Sequence, residues 1–342
     1  MSKKTSSQSQ KVVVIVGPTA SGKSDLAVRI ASKVDGEIIS ADSRQVYRGM
    51  DIGTGKITKK EMRGIPHYLL DVVSPRAEFN VSYFKKLATK KIEEIVNCGR
   101  VPIIVGGTGL WIDALIYDWP IPEVGPNRAL RARLEKQSTA RLFAKLQKLD
   151  PERAKTIDRH NKRRLVRALE IVVATDKPTP EFNVASSYDR IYKRHKIGDR
   201  EYGVLILGIK LSQQELEEKV YKRLVRRLEG GMIPEIKKLH KSGVSWKKLD
   251  DFGLEYRYVS RYLRGRSRKT SSRDRPAYDQ MVAELYLAIK NYAKRQTRWF
   301  KRNSQINWLE SDLNMQVSTK DAAKKLYQRS LKLITKFLDN QN

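Results

Sequence analysis

Val12-Val13-Val14-Ile15-Val16-Gly17-Pro18-Thr19-Ala20-Ser21-Gly22-Lys23-Ser24 decides the architecture. The first five residues are apolar and mostly β-branched, the pattern of a strand buried on both faces. Gly17 to Ser24 fits GxxxxGK[ST], and Leu26, Ala27, Ile30 and Ala31 follow at helical spacing. Strand, glycine loop and helix open a βαβ unit whose loop amides and helix N-terminus converge on phosphate oxygens. Gly17, Pro18, Thr19, Ala20, Ser21, Gly22, Lys23 and Ser24 are the expected phosphate-binding residues. Lys23 brings a full charge to the terminal phosphate, and the Ser24 hydroxyl is placed for Mg²⁺.

Downstream, Glu37–Ser40 (EIIS) reads as a strand stopping at Ala41-Asp42, and Val101–Val105 (VPIIV) as one stopping at Gly106-Gly107-Thr108-Gly109. An amphipathic helix over Val81–Val96 separates them, and Gly203–Leu211 (GVLILGIKL) is another buried run. Strands alternating with helices predict an α/β fold, a P-loop NTPase-like parallel sheet flanked by helices. Residues 120–200 break the rhythm with helices expected at Arg128–Gln147, Pro151–Thr156 and Lys162–Ala174, and carry 20 Lys+Arg against 10 Asp+Glu. They are read as an inserted helical domain, with the core formed by 12–119 and 201–310. Helices are expected at Gln213–Glu229, Pro234–Ser242 and Tyr278–Arg302, with a basic loop over Arg261–Arg275. Residues 1–11 are expected to be a disordered, polar basic arm, and 311–342 a C-terminal helix and tail.

The 342 residues hold 69 Lys+Arg against 38 Asp+Glu, a net charge of +31 and a pI near 10.1. An enzyme of small neutral metabolites has no need of such a field, whereas a polyanion such as nucleic acid does. The single cysteine, Cys98, excludes an intrachain disulfide framework, a Cys-based zinc finger and an iron–sulfur cluster. The four histidines, His67, His160, His195 and His240, never form an HxxxH pair. Neither a signal-peptide core nor an apolar stretch of membrane-spanning length is present, so a cytoplasmic protein without a membrane partner is expected, and a monomer suits a protein that grips one RNA stem-loop.

The loop specifies a diphosphate or triphosphate, not which one. Asp42 is the carboxylate at a strand's C-terminal end, where open α/β sheets bind ligands, and is the general-base candidate; a helix cap or outer Mg²⁺ ligand is the competing role. A kinase using Asp42 on a hydroxyl and an RNA-binding ATPase are the alternative readings. The latter lacks a strand ending in a Mg²⁺-binding Asp.

Asp42-Ser43-Arg44-Gln45-Val46-Tyr47 and Met50–Lys56 (MDIGTGK) are far rarer strings than a phosphate loop. With Gly64–Asp71 (GIPHYLLD), Val105–Trp111 (VGGTGLW), Arg163–Glu170 (RRLVRALE) and Tyr292–Phe300 (YAKRQTRWF), the chain resembles the tRNA dimethylallyltransferase family over roughly residues 12 to 302. The resemblance implies transfer of a dimethylallyl group from its diphosphate to N6 of the adenine at tRNA position 37, beside the anticodon. It implies catalytic roles for Asp42, Thr19, Lys23, Arg223 and Lys219, with Lys219 standing where the family has an Arg. It places tRNA against Asp42, Ser43, Arg44, Gln45, Thr108, Arg131, Arg163, Arg164, Leu165, Val166 and Arg167. Glu255 and Tyr258 depart from the family's Gly-Tyr-Arg-Gln segment, and the absence of a C-terminal Cys/His finger points to the bacterial form. His67, Tyr292 and Trp299 are expected to serve packing, and Thr108 either to meet the nucleotide or to cap a helix.

Overall fold

β1 (Gln10–Val16) is flanked on both sides by parallel strands, β4 (Val101–Gly106) and β6 (Arg200–Lys210), in a computed structural model that describes residues 10–180, 195–266, 275–311 and 319–340. With β2 (Gly36–Ser40), β3 (His67–Tyr68), β5 (His195–Ile197) and β7 (Asn307–Glu310), the sheet order is β3-β2-β4-β1-β6-β5, and β7 also pairs with β6. Every pair is parallel except β5–β6. Val13 lies opposite Ile103 and Leu205, so the three innermost strands run in register and carry no charge at their centre.

Side chains alternate across the sheet. Val13 and Ile15 join Ile38, Ile103, Leu207 and Ile209 on one face, packed with Leu26, Ala27 and Ile30 of the helix Lys23–Ala31 and Ile334 of the helix Thr319–Asp339. The helices Val81–Asn97 and Gly109–Ile116 contact β4, and their buried Phe84 and Trp111 stack with ring centroids 4.6 Å apart outside that cluster. Both faces are covered, as a parallel sheet requires.

The chain divides into two compact units, Met1–Asp118 with Tyr192–Asn342, and Trp119–Ile191. The second unit holds the helices Arg128–Glu135, Thr139–Leu149, Pro151–Thr156 and Lys162–Thr175 around Leu130, Leu134, Leu142, Leu146, Leu165 and Leu169. Several sequence expectations are corrected. Gln10 and Lys11, expected in the N-terminal arm, belong to β1 because their backbone pairs with Tyr202 and Gly203 of β6. The single helix over Arg128–Gln147 is two helices, because Ser138 Oγ accepts from Arg141 N–H and starts a new one. His195–Ile197, read as part of the insertion, is a sheet strand because its backbone pairs with Arg200–Tyr202. The basic loop over Arg261–Arg275 is narrower, since one helix runs Leu254–Arg266 and the next starts at Arg275; residues 267–274 lie outside the described residues. Among the described residues, no helix is long and apolar enough to cross a membrane.

Candidate active site

The C-terminal ends of β1, β2 and β4 deliver Gly17, Ala41-Asp42 and Gly107-Thr108 to one edge of the sheet. Gly22 caps the following helix at φ 88°, left-handed backbone that a side chain disfavours, and no side chain caps that helix. The first-turn amides of Lys23 and Ser24 therefore keep their capacity for an anion, with the helix dipole behind them. Lys23 Nζ arches back to Pro18 O at 2.6 Å.

Two adjoining cavities share Thr19, Asp42, Thr54 and Tyr292. The first is walled by Lys23, Ser24, Ser40, Gln45, His67, Gly107, Arg223 and Gln296. The second is walled by Ser43, Arg44, Arg227, Phe252, Glu255, Arg257 and Arg295. The first is a cationic phosphate cavity; the second is a mixed aromatic and charged chamber. Asp42 stands at their junction. Its Oδ1 accepts from Arg44 N–H at 2.8 Å, which fixes the carboxylate without consuming both oxygens.

The helix Gln213–Glu229 supplies the cations opposite the loop. Arg223 Nη1 donates to Thr19 Oγ1 at 3.3 Å and Nη2 to Gly55 O at 3.4 Å. Burial, reinforced by Arg227, lowers Arg223 to about 9, and it stays cationic at neutral pH. Burial pushes Lys23 down to about 7, with Arg223 adding to the shift and Asp42 opposing it. Two cationic side chains thus face one cavity with Arg227 close behind, a configuration that an incoming polyanion relieves.

Lys219, expected among the catalytic cations, is not one of the residues lining either cavity. It pairs with Glu215 at 3.6 Å and borders a separate depression with Ser21, Gly22 and Asp25. Its ammonium turns back to Glu215, away from the loop that Arg223 meets. Arg227, one turn after Arg223, lines the second cavity. Its Nη1 donates to Gly53 O at 3.1 Å and Glu255 Oε1 at 2.7 Å, and its Nη2 to Thr54 O at 3.1 Å. Sequence reasoning missed it, although its position one turn after Arg223 was a usable signal.

Gln296 is a second missed residue. Its Oε1 accepts from Thr19 N–H and its Nε2 donates to Gly107 O, both at 2.8 Å, tying the phosphate loop to the loop after β4. Trp299 serves packing as expected, its Nε1 donating to Asp113 Oδ2 at 2.8 Å, but Tyr292 does not, since it faces both cavities. His67 lines the phosphate cavity with Nδ1 at 2.8 Å from Ile65 O, and burial lowers its pKa. Thr108 does not cap its helix through its side chain; Oγ1 accepts from Ser43 N–H at 3.2 Å.

The residues expected to meet tRNA divide sharply. Asp42, Ser43 and Arg44 line the second cavity, while Gln45 lines only the first, held between Ser40 Oγ and Gly55 O. Arg163 and Arg164 are exposed on the helical unit. Leu165 and Val166 are buried in that unit's core, which withdraws their side chains from any RNA surface. Arg131 is occupied by a bidentate pair to the fully buried Glu170, with both bonds at 2.8 Å, and Arg167 donates to the same carboxylate at 2.6 Å and to Val124 O at 2.9 Å. Burial pushes Glu170 up, but these bonds and Asn127 N–H outweigh it and hold the carboxyl below its usual range. Arg131 and Arg167 thus make a structural latch.

Among the described residues no three His, Cys, Asp or Glu side chains form a metal cage. Ser24 and Asp42 do place a hydroxyl and a carboxylate in the phosphate cavity. That sparse oxygen set fits Mg²⁺ bound mainly through substrate phosphates and water.

The IPP transferase family profile matches residues 45–303. The tRNA dimethylallyltransferase 1 of Geotalea uraniireducens (strain Rf4) is 40% identical over 305 residues, covering 88% of this chain and 93% of that relative. The tRNA dimethylallyltransferase of Acetivibrio thermocellus is 38% identical, covering 88% and 92%. The crystal structure of the tRNA Δ2-isopentenylpyrophosphate transferase of Staphylococcus epidermidis aligns with a TM-score of 0.64 at 34% identity, covering 96% of this chain and 99% of that one. A eukaryotic dimethylallyltransferase solved acting on tRNA aligns with a TM-score of 0.76 at 25% identity, covering 98% and 81%.

Proposed function

The chain belongs to the IPP transferase family of tRNA dimethylallyltransferases, and on that premise we propose that it moves a dimethylallyl group from dimethylallyl diphosphate to N6 of adenine 37 of tRNA. The observation that carries the assignment of roles is the placement of Asp42 where a cationic phosphate cavity meets a second chamber. The donor's diphosphate belongs with Lys23, Arg223 and the loop amides; the adenine belongs in the chamber of Ser43, Arg44 and Tyr292. A loop base is the cheapest base to bring there, because it is already free of a duplex.

The exocyclic amine is a poor nucleophile while its lone pair is delocalised into the ring. As N6 attacks the allylic carbon, the carbon–oxygen bond to the diphosphate breaks and that oxygen keeps the electron pair. Asp42 takes the N6 proton. Lys23, Arg223 and the Thr19 hydroxyl hold the departing pyrophosphate in a preorganised, partly dry site. Mg²⁺, when bound, neutralises part of the charge on the diphosphate, with Ser24 Oγ as its protein ligand.

The lowered Lys23 has a measurable consequence. Its pKa of about 7 rises when a diphosphate binds, so at pH 8 binding takes up a proton and at pH 6 Lys23 contributes none. Affinity is then lost as pH rises through 7. Calorimetry in buffers of differing ionisation heat should show uptake approaching one proton at pH 8 for the wild type and none for Lys23→Met. Equal uptake by the two proteins would remove Lys23 from the diphosphate.

The two arginine groups on the helical unit should also separate. Arg163→Ala/Arg164→Ala should flatten log K against log salt by about 0.7 per lost phosphate contact, with melting temperature unchanged. Arg167→Ala should leave that slope alone and destabilise by about 1–3 kcal/mol, because Glu170 keeps Arg131 but loses one charged donor. The Glu170 latch is intact at neutral pH and weakens as pH falls through that carboxyl's lowered value.

The reaction itself is tested by what each candidate donor releases. tRNA-dependent release of pyrophosphate from dimethylallyl diphosphate, with no ADP formed from ATP, is expected. The reverse result would make the protein a kinase or an RNA-dependent ATPase.

A further inference from the structure

The loop Met50–Lys56 holds its place through a carboxylate from another helix. Glu235, in the helix Met232–Lys241, accepts from three successive backbone amides: Asp51 and Ile52 on Oε2 at 2.9 and 2.7 Å, and Gly53 on Oε1 at 3.0 Å. Tyr256 Oη donates to the same Oε1 at 2.7 Å. Four donors converge on one side chain, a density found where a charged acceptor fixes a backbone conformation. The Tyr256 ring is 1% exposed and lies so close that a Cβ on Gly53 would stand 2.7 Å from it.

The amides of this loop face Glu235, and its carbonyls face the arginines. Gly53 O and Thr54 O accept from Arg227, and Gly55 O accepts from Arg223. The three amides belong to the peptides that carry the Met50, Asp51 and Ile52 carbonyls, so Glu235 reaches the Gly53, Thr54 and Gly55 carbonyls by fixing the loop's conformation. Glu235 lines neither cavity; it reaches them through the loop backbone and through Tyr256, which lines the second.

We propose that Glu235 is a positioning residue for the transfer: by clamping the Asp51–Gly53 amides it aims the Gly55 carbonyl that sets Arg223 in the phosphate cavity and the Gly53 and Thr54 carbonyls that hold Arg227 behind it, in the wall of the second chamber. This rests on the reading of Arg223 as a leaving-group cation.

Glu235→Gln keeps the side-chain length but turns an amide donor toward amide donors. It should raise the donor KM and lower kcat, each about tenfold, because small displacements of a catalytic cation are costly. The tRNA dissociation constant should stay within twofold. Tyr256→Phe removes one donor to the carboxylate while conserving the buried ring, and should give the same pattern at about threefold, so the proposal survives a poorly folding Glu235→Gln. The decisive comparison adds Glu235→Gln to Arg223→Ala/Arg227→Ala. If Glu235 acts through the arginines, the third substitution costs less than twofold on donor kinetics. A full tenfold further loss, or wild-type donor kinetics in both Glu235→Gln and Tyr256→Phe, overturns the proposal. If Arg223→Ala/Arg227→Ala itself leaves donor KM and kcat at wild-type values, the reading of the arginines fails, and this proposal falls with it.

Discussion

Asp42→Asn should lower kcat by about 10²–10⁴ while both substrates still bind, the usual worth of a positioned general base. The substitution is nearly isosteric. Asn keeps an oxygen to accept from Arg44 N–H, so the turn that presents the side chain survives. What it removes is the capacity to take the N6 proton. Donor KM and the tRNA dissociation constant should stay within a few-fold, because Lys23, Arg223 and the loop amides hold the donor independently of Asp42. Turnover within threefold of wild type, measured as modified tRNA per enzyme per minute, would take Asp42 out of the mechanism.

Lys23→Ala should raise donor KM and depress kcat together, by about 10²-fold or more in kcat/KM. A cation aimed at the departing charge acts in the ground state and more strongly in the transition state. The tRNA dissociation constant should hold, since the phosphate loop faces the diphosphate. There is a compensating effect on the free protein. Lys23 is charged in the unfolded chain up to its ordinary range but only up to about 7 when folded, so folding opposes its protonation. That penalty is fully present below pH 7 and fades as pH rises toward the unfolded value. Lys23→Ala should therefore melt no lower than wild type at pH 6. A mutant that kept its donor KM and lost tRNA binding would place the loop against the wrong substrate.

The strand–loop–helix at Val12–Ala31 was legible because its signals are local: a buried β-branched run, glycines at fixed spacing, and apolar residues at helical intervals. β3 and β7 were not, because two and four residues carry no period and become strands only through pairing with β2 and β6. The same distinction governs the site. Lys23 and Asp42 could be read from neighbours in sequence. Gln296 and Glu235 could not, since they meet Thr19 and Asp51 across 277 and 184 residues. Arg131 and Arg167 show how charge misleads. Both sit in a strongly basic stretch that reads as an RNA surface, yet one buried acid, Glu170, engages both guanidinium groups while their side chains stay part-exposed. The resemblance carried Lys219 into the site by position alone, and its pairing with Glu215 leaves it outside both cavities.

Glu255 illustrates a departure that the structure explains. It takes a place where the family pattern has glycine, and it neutralises Arg227 beside a second arginine. Two guanidinium groups one turn apart repel, and a carboxylate on the opposite helix offsets that cost.

The central claim is that a prenyl group passes between two cavities that share Asp42. Its most direct test is the mass of the product nucleoside. Unmodified tRNA is incubated with the protein and dimethylallyl diphosphate, cut into nucleosides and weighed, with Asp42→Asn run in parallel. The account predicts one dimethylallyl group on the adenosine 3′ to the anticodon, formed by the wild type and nearly absent with the variant. Unchanged nucleosides from the wild type, or a prenyl group on any base other than that adenosine, would contradict it.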